Sequence, residues 1–244
     1  MPRSEKPFLI EITLLRDKVP SFEKYPFCLS VVKHLRTLAF HPNVTFLIGE
    51  NGTGKSTLLE AIAVALRYNP EGGTTNVMFS TRETHSNLHE YLRLSRSSKR
   101  PKDGYFLRAE SFYNVASYMD DIGYLKSYGG KSLHQQSHGE SFLSLLNYKF
   151  RGNGLYLLDE PEAALSPIRQ LAAMAIIHKL AEANSQFIIV THSPIIMAYP
   201  NARIYHLSES GIQEVKYTET EHYKIAKDFL NRPEQTLRAL LDEP

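Results

Sequence analysis

A single cysteine, Cys28, stands in 244 residues. That excludes an internal disulfide and suits a reducing compartment. Low-complexity runs and internal repeats are absent, so a folded globular protein is expected. No apolar run approaches the length of a membrane span, and Met1 to Pro7 lacks the apolar core of a signal peptide. A soluble, cytoplasmic protein is therefore expected, with any membrane work left to another chain. Charge of one sign is also lacking. Lys and Arg number 28 against 26 Asp and Glu, a formal net charge of +2 that is too mild to argue for nucleic acid. A chain of this size forms one generous domain, or one with a small subdomain, around a continuous core.

What is present is organised around one stretch, Val44 to Thr57. It reads as a buried strand (Val44 to Ile48), a glycine-rich loop, and the first turn of a helix. Gly49, Gly54, Lys55 and Ser56 satisfy the phosphate-loop spacing G-x-x-x-x-G-K-[ST]. The chemistry needs these residue types. Glycines let the backbone N–H groups from Gly49 through Asn51, Gly52, Thr53 and Gly54 to Thr57 converge on a phosphate, and the helix aims its positive end at the anion. Lys55 reaches the β- and γ-phosphates, and the Ser56 hydroxyl sits on Mg²⁺. Nucleoside triphosphate binding is implied.

Before this stretch, Phe8 to Arg16 reads as a strand, Val19 to Pro26 as a loop, and Leu29 to Phe40 as one or two more strands. Such strands would form an antiparallel side sheet. After the phosphate-loop helix, Asn69 to Gly73 is a turn cluster and His85 to Ser98 reads as a polar helix. His85 and His89 have spacing that suits a metal, but lack a third ligand and equally suit an exposed helix face. Arg93, Arg96, Lys99, Arg100 and Lys102 form a short basic run, open to a solvated face or a phosphate-backbone contact. Gly104 to Ala109 is a strand reaching Glu110, followed by an amphipathic helix over Ser111 to Met119 and a loop over Gly123 to Gln136.

Further on, a helix beginning near Ser141 carries the apolar stripe Phe142, Leu145, Leu146 and Phe150. Gly154 to Glu160 is an apolar strand ending in two carboxylates. A helix over Pro167 to Ala183, a strand over Gln186 to Val190, a hairpin over Ala202 to Tyr217 and a helical tail complete the chain. Strands alternating with helices around a phosphate loop predict an α/β fold with a mostly parallel central sheet. Asp159 is placed to hold Mg²⁺, and Glu160 to orient or deprotonate the attacking water. His192, after the next strand, is placed to sense the γ-phosphate. The acidic residues elsewhere form no nuclease-like metal cluster.

These residues resemble an ABC-type ATPase, the nucleotide-binding head class, over essentially the full length. Gly49 to Ser56 matches its Walker A motif, and Leu155 to Glu160 its Walker B motif with the catalytic glutamate. Ala163 to Ser166 stands at the D-loop, and His192 at the switch histidine. Ser137-His138-Gly139-Glu140 resembles the signature, departing at His138, where glycine is usual, and at Gln136, where leucine is usual. Glu110 stands where the family has its Q-loop glutamine and could reach metal or water. The resemblance implies one domain over 1–244, with a helical signature subdomain over about 70–150. It implies ATP and Mg²⁺ as ligands. It also implies a homodimer sandwiching two ATP molecules, with Ser137, Gly139 and Glu140 completing the partner's site. In similar ATPases an aromatic upstream of the phosphate loop stacks on adenine; Tyr25 and Phe27 are open to that role or to capping the sheet edge.

Three functions follow. The motif wording resembles small soluble bacterial ATPases of the chromosome-maintenance, recombination and nuclease-associated kinds, so coupling to a nuclease or other nucleic-acid-processing factor is the leading expectation. The alternatives are the energising subunit of an ABC transporter, and a slow nucleotide-gated switch. No heptad run exists, and Lys55 to Ser137 is too short for a long coiled coil, so the head lacks an arm. Nucleic-acid binding would require the Arg93–Lys102 run to face the same side as the dimer cleft.

Overall fold

A computed structural model describes residues 7–70, 72–73, 86–108 and 138–241. Among the described residues nine strands make two sheets. The central sheet holds β3 (Val44–Ile48), β5 (Asp103–Arg108), β6 (Gly154–Asp159), β7 (Gln186–Val190), β8 (Arg203–Ser208) and β9 (Gly211–Val215), in the order β5-β6-β7-β3-β8-β9. All its pairings are parallel except the β8–β9 hairpin. The side sheet is antiparallel, with β1 (Leu9–Leu14) between β2 (Thr37–Ala39) and β4 (Leu92–Arg96).

β3, β6 and β7 are buried along their whole length, as expected when both faces of a parallel sheet are covered. Alternate residues feed two cores. Phe46, Ile48, Tyr156, Leu158, Phe187 and Ile189 pack with α3 (His138–Ser144) and α4 (Pro167–Glu182), through Phe142, Ala173 and Ile177. Leu47, Phe106, Leu155, Leu157, Ile188 and Val190 pack on the other face against α2 (Lys55–Ala65), α1 (Ser30–His34) and the side sheet. Each fully buried side chain of this kind contributes about 1.5–3 kcal/mol. Gln186 bolts the side sheet to the central one. Its side chain accepts from Leu9 N at 2.9 Å and donates to the Leu9 and His41 carbonyls at 2.8 and 3.1 Å.

Two sequence expectations are corrected here. Ser30–His34 is helical, not extended; it buries Val31 and Val32, and the Val31 amide donates to the Thr53 carbonyl of the phosphate loop. His85 to Ser98 is not a helix over its described part. It holds a short 3₁₀ turn, Asn87–Tyr91, and then β4, whose pairing with β1 overrides the polar composition. The chain closes with α5 (Glu221–Asn231) and α6 (Pro233–Leu241). Among the described residues no helix is long and apolar enough to cross a membrane.

Candidate active site

The carboxyl ends of β5, β6, β7 and β3 lie in register, with Arg108 beside Asp159, Asp159 beside Val190, and Leu47 beside Val190. The polar residues that follow these strands therefore share one rim, the usual ligand edge of such a sheet. The phosphate loop leaves β3 through Gly49 at φ 144°, where a Cβ would stand 2.0 Å from the Leu207 carbonyl oxygen. It re-enters the chain's helical path at Gly54, φ 96°, pressed against Leu29 and Val31 of the preceding segment. Only glycine fits either position.

Lys55 is buried and donates from Nζ to the Glu50 carbonyl at 2.7 Å, so its ammonium lies within the loop's own concavity. Burial pulls its pKa down, while Glu160, Asp159 and Glu50 pull it back. Ser56 Oγ donates to Asp159 Oδ1 at 3.0 Å. A hydroxyl and a carboxylate converging beside a buried ammonium form an all-oxygen donor set that fits Mg²⁺, a cation that takes few protein ligands and shares the rest with phosphate and water. No cluster of three or more acidic, histidine or cysteine ligands occurs among the described residues.

Glu160 adopts a left-handed backbone, φ 50° and ψ 54°, with its amide bonded to the Val190 carbonyl at 3.0 Å. Such a conformation costs about 1–3 kcal/mol in a non-glycine residue and recurs at functional sites. It directs the carboxylate to His192, whose Nε2 lies 3.7 Å from Glu160 Oε1. The His192 backbone amide donates to Glu162 Oε1 at 2.5 Å, and its Nδ1 meets His222 Nε2 at 3.3 Å. Burial lowers the His192 pKa and Lys55 lowers it further, against Glu160, so the ring is neutral at pH 7. Glu162, half-buried beside it, has its carboxyl raised by desolvation.

The predicted residues therefore separate into groups. Gly49, Asn51, Gly52, Gly54, Lys55, Ser56, Thr57, Asp159, Glu160 and His192 share one rim, and Thr53 closes the loop by donating from Oγ1 to the Glu50 carbonyl. Gly139 and Glu140 lie elsewhere. Gly139 packs on the Ala164 carbonyl and on Arg169, and Glu140 pairs with Arg169 at 3.1 Å. Ser137 and Glu110 fall outside the described residues, as do His85, the Ser111–Met119 helix and the Gly123–Gln136 loop.

Phe27 is not an exposed platform. It is buried edge-on against Tyr91, which leaves Tyr25 as the exposed aromatic of the pair. Three of the five residues of the basic run do not face the rim. Lys99, Arg100 and Lys102 line a cavity of about 470 Å³ with Asn43, Asn153 and Asn184, which precede β3, β6 and β7 at the opposite end of the sheet. Glu162 and His222 are the contributors that sequence reasoning missed. Glu162 had a signal, a second acid in Asp159-Glu160-Pro161-Glu162; His222 had none.

Comparison with known proteins finds ATP-binding relatives. The family AAA_23, described as an AAA domain, matches residues 26–126. The macrolide export ATP-binding/permease protein MacB of Campylobacter jejuni is 24% identical over 223 residues, covering 81% of this chain and 33% of that protein. MacB of Neisseria meningitidis is 28% identical over 174 residues, covering 64% and 27%. The chain thus spans about a third of the length of these relatives. A nucleotide-free ATP-binding cassette from an ABC transporter superposes with TM-score 0.51 at 15% identity, over 93% of this chain and 98% of that one.

Proposed function

We propose that the chain is an ABC-type ATPase nucleotide-binding head that binds and hydrolyses ATP between two copies of itself, driving a partner. The observation that carries this reading is the single rim joining Lys55, Ser56, Asp159, Glu160 and His192. On binding, the Lys55 ammonium exchanges the Glu50 carbonyl for phosphate oxygens. Ser56 and Asp159 would hold Mg²⁺, which neutralises charge on the β- and γ-phosphates. Glu160 accepts the proton of a water whose oxygen attacks the γ-phosphorus, and the bond to the ADP oxygen breaks. His192 donates from Nε2 to the γ-phosphate and holds the water's approach. In the dimer, Ser137, Gly139 and Glu140 of one copy would face the nucleotide of the other.

For the driven partner, we favour a membrane-embedded transport subunit over a nuclease. Both MacB relatives are named as ATP-binding/permease proteins. The nucleic-acid reading needs the basic run on the side of the dimer cleft, and three of its residues, Lys99, Arg100 and Lys102, line a cavity at the end of the sheet away from the nucleotide rim. The test uses Glu160→Gln, which binds ATP and stalls. With ATP and Mg²⁺ it should run as a dimer in light scattering and retain an integral membrane protein. A bound nuclease or nucleic acid would overturn the choice of partner, and a monomer would overturn the dimer.

A further inference from the structure

His192 has two ring nitrogens, and only one carries the proton when the ring is neutral. Its Nε2 is buried, makes no hydrogen bond among the described residues, and faces Glu160 Oε1 at 3.7 Å. A carboxylate offers only lone pairs, as does the γ-phosphate that the reading above brings to the same place. Nε2 must therefore be the protonated nitrogen if the ring is to face either group without repulsion. That leaves Nδ1 as an acceptor. The group beside it is His222 Nε2 at 3.3 Å, the ring planes inclined by 49°.

His222 reaches this position because its helix is anchored to the segment that carries His192. Thr220, nearly fully buried, caps α5 by accepting from the Tyr223 amide, and its own hydroxyl donates to the Tyr217 carbonyl. The Tyr217 hydroxyl donates to the carbonyl of Pro194, two residues after His192. The Tyr217 and Tyr223 rings pack at 4.8 Å. His222 also lines the open cleft of about 690 Å³ that contains Gly49, Glu50, Asn51, His192 and His206. The helix after the hairpin is thus built into the nucleotide rim.

We propose that His222 is a positioning residue for ATP hydrolysis: its Nε2–H donates to His192 Nδ1 and holds His192 as the Nε2–H tautomer, aimed at the γ-phosphate. This rests on the hydrolytic reading above. The charged and titratable neighbours agree with two neutral rings. Lys55 disfavours a proton on His192, against Glu160; His192, His206 and Lys55 disfavour one on His222, against Glu221. A fixed orienter behind a working histidine ordinarily contributes about 10- to 100-fold.

The test pairs a spectroscopic readout with kinetics. Imidazole ¹⁵N shifts of the nucleotide-free protein should report His192 as the Nε2–H tautomer, and His222→Phe should convert it to a mixture. The same variant should lower kcat about 10-fold with KM within about twofold, while melting stays near that of the parent. His222→Gln keeps an N–H donor of similar reach and should restore kcat to within about threefold. An Nδ1–H tautomer in the parent, or unchanged kcat in His222→Phe, would overturn the proposal. A parent that hydrolyses no ATP would instead overturn the hydrolytic reading, and the nitrogen shifts would still decide the tautomer.

Discussion

Ser56 Oγ donates to Asp159 Oδ1 at 3.0 Å, joining residues 103 positions apart. One opens α2 and the other closes β6, so the contact exists only because β3 and β6 end at the same level of the sheet. The cation that ATP brings is expected at this pair. Asp159→Asn removes the charge and keeps the shape. Turnover should fall by roughly 100-fold or more, while binding of a fluorescent nucleotide in EDTA stays within about threefold.

Gly49 is fixed by sterics as much as by ligand chemistry. An added Cβ would lie 2.0 Å from the Leu207 carbonyl oxygen, a backbone atom that cannot swing aside. Gly49→Ala should therefore destabilise the whole domain by about 2 kcal/mol or more in urea. Gly52→Ala meets no atom within 4 Å and bears only the strain of φ 83°. It should cost about 1–2 kcal/mol.

Gln186 joins the two sheets through two bonds to the buried Leu9 backbone and adds a third to the half-buried His41 carbonyl. Gln186→Leu fills the space but leaves the Leu9 amide and two carbonyls without that partner. A loss of roughly 3 kcal/mol or more is expected by chemical denaturation. A loss below 1 kcal/mol would mean that the side sheet is held by other contacts.

Below neutral pH, His41 sets a stability trend. Burial lowers its pKa from 6.5, Arg203 adds to the shift and Glu214 opposes it. Its Nδ1 accepts from the Asn43 amide at 3.2 Å, a role that protonation removes. The unfolded chain thus binds this proton first. The contribution is complete above pH 6.5 and is lost as pH falls through the lower, folded value. Glu162 runs the other way, since burial raises its carboxyl and its penalty fades on acidification. Comparing melts of parent and His41→Gln from pH 7.5 to 5 isolates the histidine. The parent should lose more stability than the variant.

The phosphate loop was legible because its chemistry is written in eight consecutive residues with a strand before and a helix after. Asp159 and His192 were legible for a related reason: each ends an apolar run, and parallel strands bring such ends together. Ser30–His34 misread because a short apolar segment such as Val31-Val32 looks the same in a strand or a helix. Its docking on Thr53 decided the outcome. Leu88 and Leu92, four apart and both buried, imitate a helical stripe, yet the second belongs to a strand paired with β1. The Lys99–Lys102 run read correctly as basic, but its end of the sheet follows from topology alone. His222 lies 30 positions from His192, and no spacing rule joins them.

ATP turnover by the purified chain and by Glu160→Gln tests the central claim most directly. The account predicts Mg²⁺-dependent phosphate release by the parent and a loss of roughly 100- to 10,000-fold in the variant, with ATP binding kept. Equal turnover in the two proteins, or none in the parent under conditions where it binds ATP, would contradict the assignment of Glu160 as the base.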